Sequence, residues 1–160
     1  MSHLPTRRRP THRPAVIPRD RPPILLVTVA TDGRKPILAT AASHALIVAS
    51  WRRAIAWRVG RYVLMPDHLH AFVAPASDNG IALDRWVRCW KSWVSRGWDD
   101  RAELPIWQRE FWDRQLRAHQ GYDAAWTYVA QNPVRKGLVA SESDWPFQGV
   151  MNELSWDPIR

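Results

Sequence analysis

The 160-residue sequence contains a single cysteine, Cys89. One thiol excludes an internal disulfide and a thiolate zinc site, and it fits a reducing compartment, so the cytoplasm is the expected location. No apolar run reaches the roughly 18 residues of a membrane span, and six prolines within the first 23 residues interrupt any secretory apolar stretch. No membrane association is expected. The seven glycines are scattered, so there is no Gly-rich phosphate loop and no sign of an ATP site. The length leaves room for one hydrophobic core, which excludes a large multidomain enzyme.

Against these absences stands a strong basic excess: 23 Lys plus Arg face 15 Asp plus Glu, giving +8 and an isoelectric point near 10.7. Such a balance suits a protein that meets polyanions, nucleic acid first among them. The charge is uneven. Residues 1–23 hold Arg7, Arg8, Arg9, Arg13, Arg19 and Arg21 against Asp20 alone, so this Pro/Arg-rich segment is expected to be a flexible arm. It reads first as a solvated leader, with a phosphate-binding tail as the functional alternative. With 46% hydrophobic residues, the rest of the chain has enough apolar material to fold.

The run Ile24 to Ala30 is apolar and β-branched and ends in Asp32-Gly33, predicting a core strand and turn. Ile47, Trp51, Ala54 and Ile55 share one helical face between residues 41 and 59. Residues 61–74 predict a strand pair broken at Pro66. A helix over 81–96 gathers Leu83, Trp86, Val87, Trp90 and Val94 on one face, with Arg88, Lys91, Ser92 and Ser95 assigned to a polar face that suits phosphates or plain solvation. The segment 106–114 predicts a strand covered on both sides, and 124–131 a helix ending where Pro133 disfavours αR for Asn132. This order of elements predicts an α+β sandwich with helices packed on a mainly antiparallel sheet.

His68 and His70 lie two apart on the predicted strand, so both rings point to one face with Cα atoms about 6.5 Å apart. Converging imidazoles suit a divalent transition ion, although two ligands do not complete a site and strand histidines also serve plain hydrogen bonding. Tyr128 and Asn132 are four apart on the late helix, bringing a phenol and an amide together about one turn apart. Taken separately, the two read as an amphipathic aromatic and a helix-terminal residue. His3, His12, His44 and His119 read as surface residues.

Together, "YVLMPDHLHAFV" and, about sixty residues later, "YVAQNPVRKGLV" resemble the HUH single-tyrosine transposases, closest to the REP-associated tyrosine transposases. The intervening "WQREFWDRQLR" resembles that family's tryptophan-glutamine strand, and "ILLVTVATDGRKPIL" its first strand and turn. The resemblance covers about residues 24–147. It implies a ferredoxin-like or RRM-like α+β fold occupying 24–150, between the arm over 1–23 and a tail over 151–160. It also implies Tyr128 as nucleophile, and His68, His70 and Asn132 as ligands of Mg or Mn. Arg109, Arg114, Arg135 and Lys136, with Arg88 and Lys91 of the preceding helix, are candidates for DNA contact.

The implied activity is cleavage and rejoining of single-stranded DNA, at hairpin-flanked sites, through a 5′-phosphotyrosine intermediate. Partners would be single-stranded or hairpin DNA. The protein would be a monomer or homodimer in the cytoplasm, associated with the nucleoid. A phenol with pKa near 10 needs electrostatic help at neutral pH, which a cation on the phosphate supplies. Mg prefers oxygen donors whereas two imidazoles favour Mn, so both remain open. Tyr122 is a rival nucleophile, set aside because it precedes the predicted helix. Asp67 reads as a turn acid outside the catalytic set. A catalytically inactive DNA or RNA hairpin-binding module is the second reading, and a small-molecule metallohydrolase the third.

Overall fold

A computed structural model describes residues 23–155 apart from 79 and 118, and not the side chains of 119 and 120. The expected arm over 1–23 lies outside these residues except for Pro23, and so does 156–160. The elements run β1 Ile24–Ala30, α1 Ala41–Arg53, β2 Trp57–Leu64, β3 His68–Pro75, α2 Leu83–Gly97, β4 Trp112–Leu116, α3 His119–Ala130, α4 Asn132–Arg135 and β5 Gln148–Val150. The strands form one sheet in the order β4-β1-β3-β2-β5, every neighbouring pair antiparallel. β1 to β4 with α1 and α2 make the split βαβ double unit of a ferredoxin-like α+β fold, and β5 extends the β2 edge.

Strand alternation sorts side chains onto two faces. Leu25, Val27, Val29, Leu69, Ala71 and Val73 point one way, into a core closed by α1 and α2. Trp51, Trp86 and Trp90 fill it, with ring centroids 5.7 Å apart for Trp51–Trp90 and 6.1 Å for Trp86–Trp90. Burying each indole contributes roughly 4–6 kcal/mol of transfer free energy before side-chain ordering is subtracted. Indole N–H groups also tie elements together: Trp86 Nε1 donates to the Ala54 carbonyl at 2.8 Å. Ile24 and Phe72 point the other way, into a smaller cluster with Tyr122, Ala125 and Val129 of α3.

Several expectations change, among them the start of the late helix: α3 begins at His119 rather than 124, so Tyr122 lies on the helix and not before it. Helix α1, capped by Thr40 accepting from the Ser43 amide, ends at Arg53, so Ala54 stays buried while Ile55 swings out to 79% exposure. The strand expected over 106–114 begins only at Trp112. Residues 106–108 instead meet the end of β1 through a single bridge, Thr31 to Trp107, with the Gln108 amide donating to the Ala30 carbonyl at 2.9 Å. Finally, the packed body runs past 150. The Met151 amide donates to the Gly60 carbonyl at 3.1 Å, and a Cβ on Gly60 would meet Leu154 at 2.7 Å.

Candidate active site

The β2–β3 hairpin carries the site. Thr31, fully buried after β1, donates its Oγ1 proton toward the Lys35 and Asp67 carbonyls at 2.8 and 3.1 Å, and its amide donates to Asp67 at 3.0 Å. The Leu38 amide donates to the Pro66 carbonyl at 2.9 Å. The Pro66-Asp67 corner, and with it the register of His68, is therefore clamped by the turn following β1. In that turn Arg34 adopts φ 55, a left-handed conformation that costs a non-glycine residue about 1 kcal/mol. It aims the guanidinium at Asp67, Nε donating to Oδ2 at 2.9 Å.

On β3, His68 and His70 share a face with ring centroids 4.9 Å apart. Their Nδ1 atoms are both engaged. His68 Nδ1 lies 2.8 Å from Asp67 Oδ1, and a carboxylate there accepts, which fixes the proton on Nδ1. His70 Nδ1 lies 2.8 Å from Thr28 Oγ1, a residue brought opposite it by the β1–β3 register. His68 Nε2 therefore keeps its lone pair, and where the Thr28 hydroxyl accepts from His70 Nδ1 the second ring does so too, the arrangement that outer partners impose on ligating histidines. Burial, reinforced by the charges of His68, Arg135 and Arg34, lowers His70 to about 3. His68 is also lowered, by burial first and by Arg34 and Lys136, against the opposing pull of Asp67. For Asp67, burial pushes upward but His68 and Arg34 outweigh it, so it remains a carboxylate at neutral pH. Both imidazoles are accordingly neutral at pH 7 and able to ligate.

Tyr128 sits on α3, the helix covering this same face. Its side is open: the residue is 68% exposed, and a groove of about 380 Å³ beside it is lined by Leu26, Arg114, Ala125 and Val129. The α3 helix stops at Ala130, and α4 follows after Gln131 with Asn132 and Pro133 in its first turn, so Tyr128 and Asn132 lie on successive helices. Arg135 folds back across it. The guanidinium lies 4.1 Å from the Tyr128 ring centroid, Nη2 donates to the Tyr128 carbonyl at 2.7 Å, and it donates also to Asn132 Oδ1. One arginine thus holds the phenol and the amide together. Tyr122 is 9% exposed, its ring packed 5.0 Å from Phe72, and burial pushes its phenol upward. It is a core residue.

The donors suit a divalent cation in part. Two neutral imidazoles converge, while the Asn132 oxygen accepts from Arg135; among the described residues no group of three His, Cys, Asp or Glu is placed to hold a metal ion. Of the basic residues singled out above, Arg109, Arg114, Arg135 and Lys136 are exposed. Arg135 and Lys136 lie close enough for their charge to act on His70 and His68. Helix α2 packs on the opposite face of the sheet, which removes Arg88 and Lys91 from the histidines. Arg88 pairs with Asp84 at 3.1 Å. Lys91 is not on a polar face at all: it is 8% exposed, and Nζ donates to the Gln108 carbonyl at 2.7 Å. His44 likewise is half-buried rather than superficial, Nε2 lying 2.7 Å from the Tyr62 hydroxyl. Thr28, Arg34 and Asp67 are the additions the structure makes to the sequence-derived set.

No family model matches the chain. Over 114 residues it is 30% identical to the REP-associated tyrosine transposase of Escherichia coli K12, an alignment covering 70% of this chain and 64% of that protein. A Haemophilus influenzae protein provisionally given the same name is 27% identical over 103 residues, 57% of each chain. The chain thus spans less than two thirds of the length of the curated relatives it matches. A solved REP-associated tyrosine transposase, bound to a REP hairpin, superposes with TM-score 0.68 at 24% identity over 92% of this chain and 82% of that one. A Deinococcus radiodurans protein provisionally described as a transposase matches with TM-score 0.50 at 13% identity, over 67% and 88% of the two chains. Paired histidines on the central strand of an antiparallel sheet, under a tyrosine-bearing helix, define a HUH-type arrangement. The sequence relatives agree with it: the chain is similar to the REP-associated tyrosine transposases.

Proposed function

We propose that this protein is a transposase that cleaves and rejoins single-stranded DNA at hairpin-flanked sites, with Tyr128 as the nucleophile. The observation that carries the reading is the pairing of two imidazoles, each fastened at Nδ1, with an exposed tyrosine on the helix over the same sheet face. The Tyr128 hydroxyl oxygen attacks phosphorus, the bond to the 3′ oxygen breaks, and a 5′-phosphotyrosine and a free 3′-hydroxyl result. Return attack by a 3′-hydroxyl restores the phosphodiester and frees the tyrosine, so no external energy source is needed. Arg135 holds the phenol in place through its contacts with the ring face and the backbone carbonyl. His68 and His70, with Asn132 once it leaves Arg135, would hold Mn or Mg, which draws charge from the non-bridging phosphate oxygens. Asp67 keeps the His68 ring in the ligating tautomer, Thr28 anchors the His70 ring at Nδ1, and His68 with Arg34 keeps Asp67 ionised. Arg109, Arg114, Arg135 and Lys136 line the strand's approach as phosphate contacts.

The test is incubation of the full chain and Mn with labelled DNA hairpins and their single-stranded flanks, taken from around its own gene. A covalent adduct on a denaturing gel is expected for the native protein and not for Tyr128→Phe. Equal hairpin binding by both, with no adduct from either, would establish a binding module instead. Hydrolysis of small phosphoesters that survives Tyr128→Phe would favour a metallohydrolase.

A further inference from the structure

The β4 edge of the sheet carries two exposed side chains that the proposed chemistry does not use to full extent. The register sets Trp112 opposite Thr28, and Thr28 opposite His70; Arg114 lies opposite Leu26, and Leu26 opposite Phe72. Antiparallel partners point to the same side, so Trp112 and Arg114 project from the histidine face, in adjacent rows. Trp112 is 40% exposed, whereas Trp86 and Trp90 on the other face are sealed. A partly open indole thus stands one strand from His70's partner, on the face that carries the histidines. Beside it, Arg114 stands at the edge of the groove whose apolar floor is Leu26, Ala125 and Val129 and whose far wall is Tyr128. At about 380 Å³ the groove falls within the size range of small-ligand sites. Its helical wall is low because Gly121 and Ala124 carry almost no side chain, and a Cβ on Gly121 would meet nothing within 4 Å.

An aromatic face, a guanidinium and an apolar cleft next to a nucleophile match the parts of one nucleotide: a base that stacks, and a phosphate that pairs with the cation. We propose that Trp112, Arg114 and this groove form a subsite for one unpaired nucleotide of the DNA strand, next to the phosphate attacked by Tyr128. The base lies against Trp112 and the apolar floor, and its phosphate meets Arg114. A base lies in the cleft only when it is out of its stack, so the subsite favours unpaired strand over duplex. The subsite thus assigns part of the selection of single-stranded flank to the β4 edge. This rests on the function proposed above, but its test reads binding separately from chemistry.

Fluorescence anisotropy of the full chain with the fluorescein-labelled hairpin and its single-stranded flanks, made abasic at one flank position at a time, measures it. The expected result is one flank position at which loss of the base weakens binding roughly 5- to 150-fold. Trp112→Ala should weaken binding to the intact strand by a similar factor and show no further loss at that abasic position. Trp112→Phe, which keeps an aromatic face, should restore most of the affinity. Arg114→Gln should weaken binding with a salt slope lower by about one. Circular dichroism melting checks that each variant is folded, and the abasic scan on the native protein stands even if Trp112→Ala is not. A flat abasic scan, or losses from Trp112→Ala and from the missing base that simply multiply, overturns the subsite. If the Tyr128 adduct still forms in those samples, the endonuclease reading survives without it. Coupled losses with no adduct support the subsite and remove the chemistry, and a folded native chain that binds no strand removes both.

Discussion

The two faces of the sheet are built from the same strands by opposite rules. On the α1/α2 face, residues 25, 27, 29, 69, 71 and 73 are apolar and meet six buried indoles and a helix pair in a closed core. On the other face the same strands carry Leu26, Thr28, His68 and His70, and α3 covers them only in part. There, polar groups are fixed by paired hydrogen bonds rather than by packing, and a tyrosine and a tryptophan are left in solvent. One face supplies the stability that allows the other to hold neutral imidazoles, a left-handed arginine and an exposed phenol.

That contrast breaks most sharply with Trp90→Ala, which opens a cavity in the closed core and should cost about 3–5 kcal/mol in denaturant unfolding. Loss of less than about 1 kcal/mol would mean that the core is not what holds the sheet. Next in size is an acid effect from the open face, measured in chelator. The folded value of His70, about 3, lies below the unfolded value near 6.5, so the unfolded chain takes up the proton first. Stability present above pH 6.5 should therefore fall as pH drops toward 3, by on the order of 4 kcal/mol at full titration. His70→Asn should lack that share of the slope.

Lys91 gives the alkaline counterpart on the closed face. Burial lowers it to about 8, against the partial opposition of Glu110. Between pH 8 and 10.5 the unfolded chain holds the extra proton, so stability should rise with pH there, by on the order of 3 kcal/mol. Lys91→Met should flatten the rise; an unchanged slope would show that Lys91 reaches solvent. The smallest effect on stability is expected of Thr28→Val, about 1 kcal/mol for a lost hydrogen bond, accompanied by a roughly tenfold loss of Mn affinity in calorimetry because His70 is no longer held.

Sequence pattern reached the parts of this structure that depend on local spacing. The limits of β1 and the shared face of His68 and His70 follow from a period of two, whereas Pro133 does not keep Asn132 out of a helix: Asn132 opens α4 and the break falls at Gln131. The Lys91 assignment shows a local rule misapplied: Val87, Lys91 and Val94 stand at i, i+4 and i+7, so the lysine lies on the buried stripe. What local spacing does not carry is strand register. Thr28 and His70 are 42 residues apart, and Arg34 and Asp67 are 33 apart. Sequence alone makes Asp67 a turn acid, whereas the turn after β1 holds its backbone and its carboxylate reaches His68 Nδ1. Arg135 holds Asn132 and Tyr128 only because the chain bends between α3 and α4, and Trp112 stands beside the site only because β4 pairs with β1.

The most direct measurement is mass-spectrometric mapping of the covalent protein–DNA adduct formed by the full chain with Mn and a hairpin bearing single-stranded flanks. The account expects the nucleotide on the Tyr128 side chain, joined through a 5′ phosphate. Attachment at Tyr122 or at any other residue, or cleaved DNA with no tyrosine carrying the strand, would contradict it.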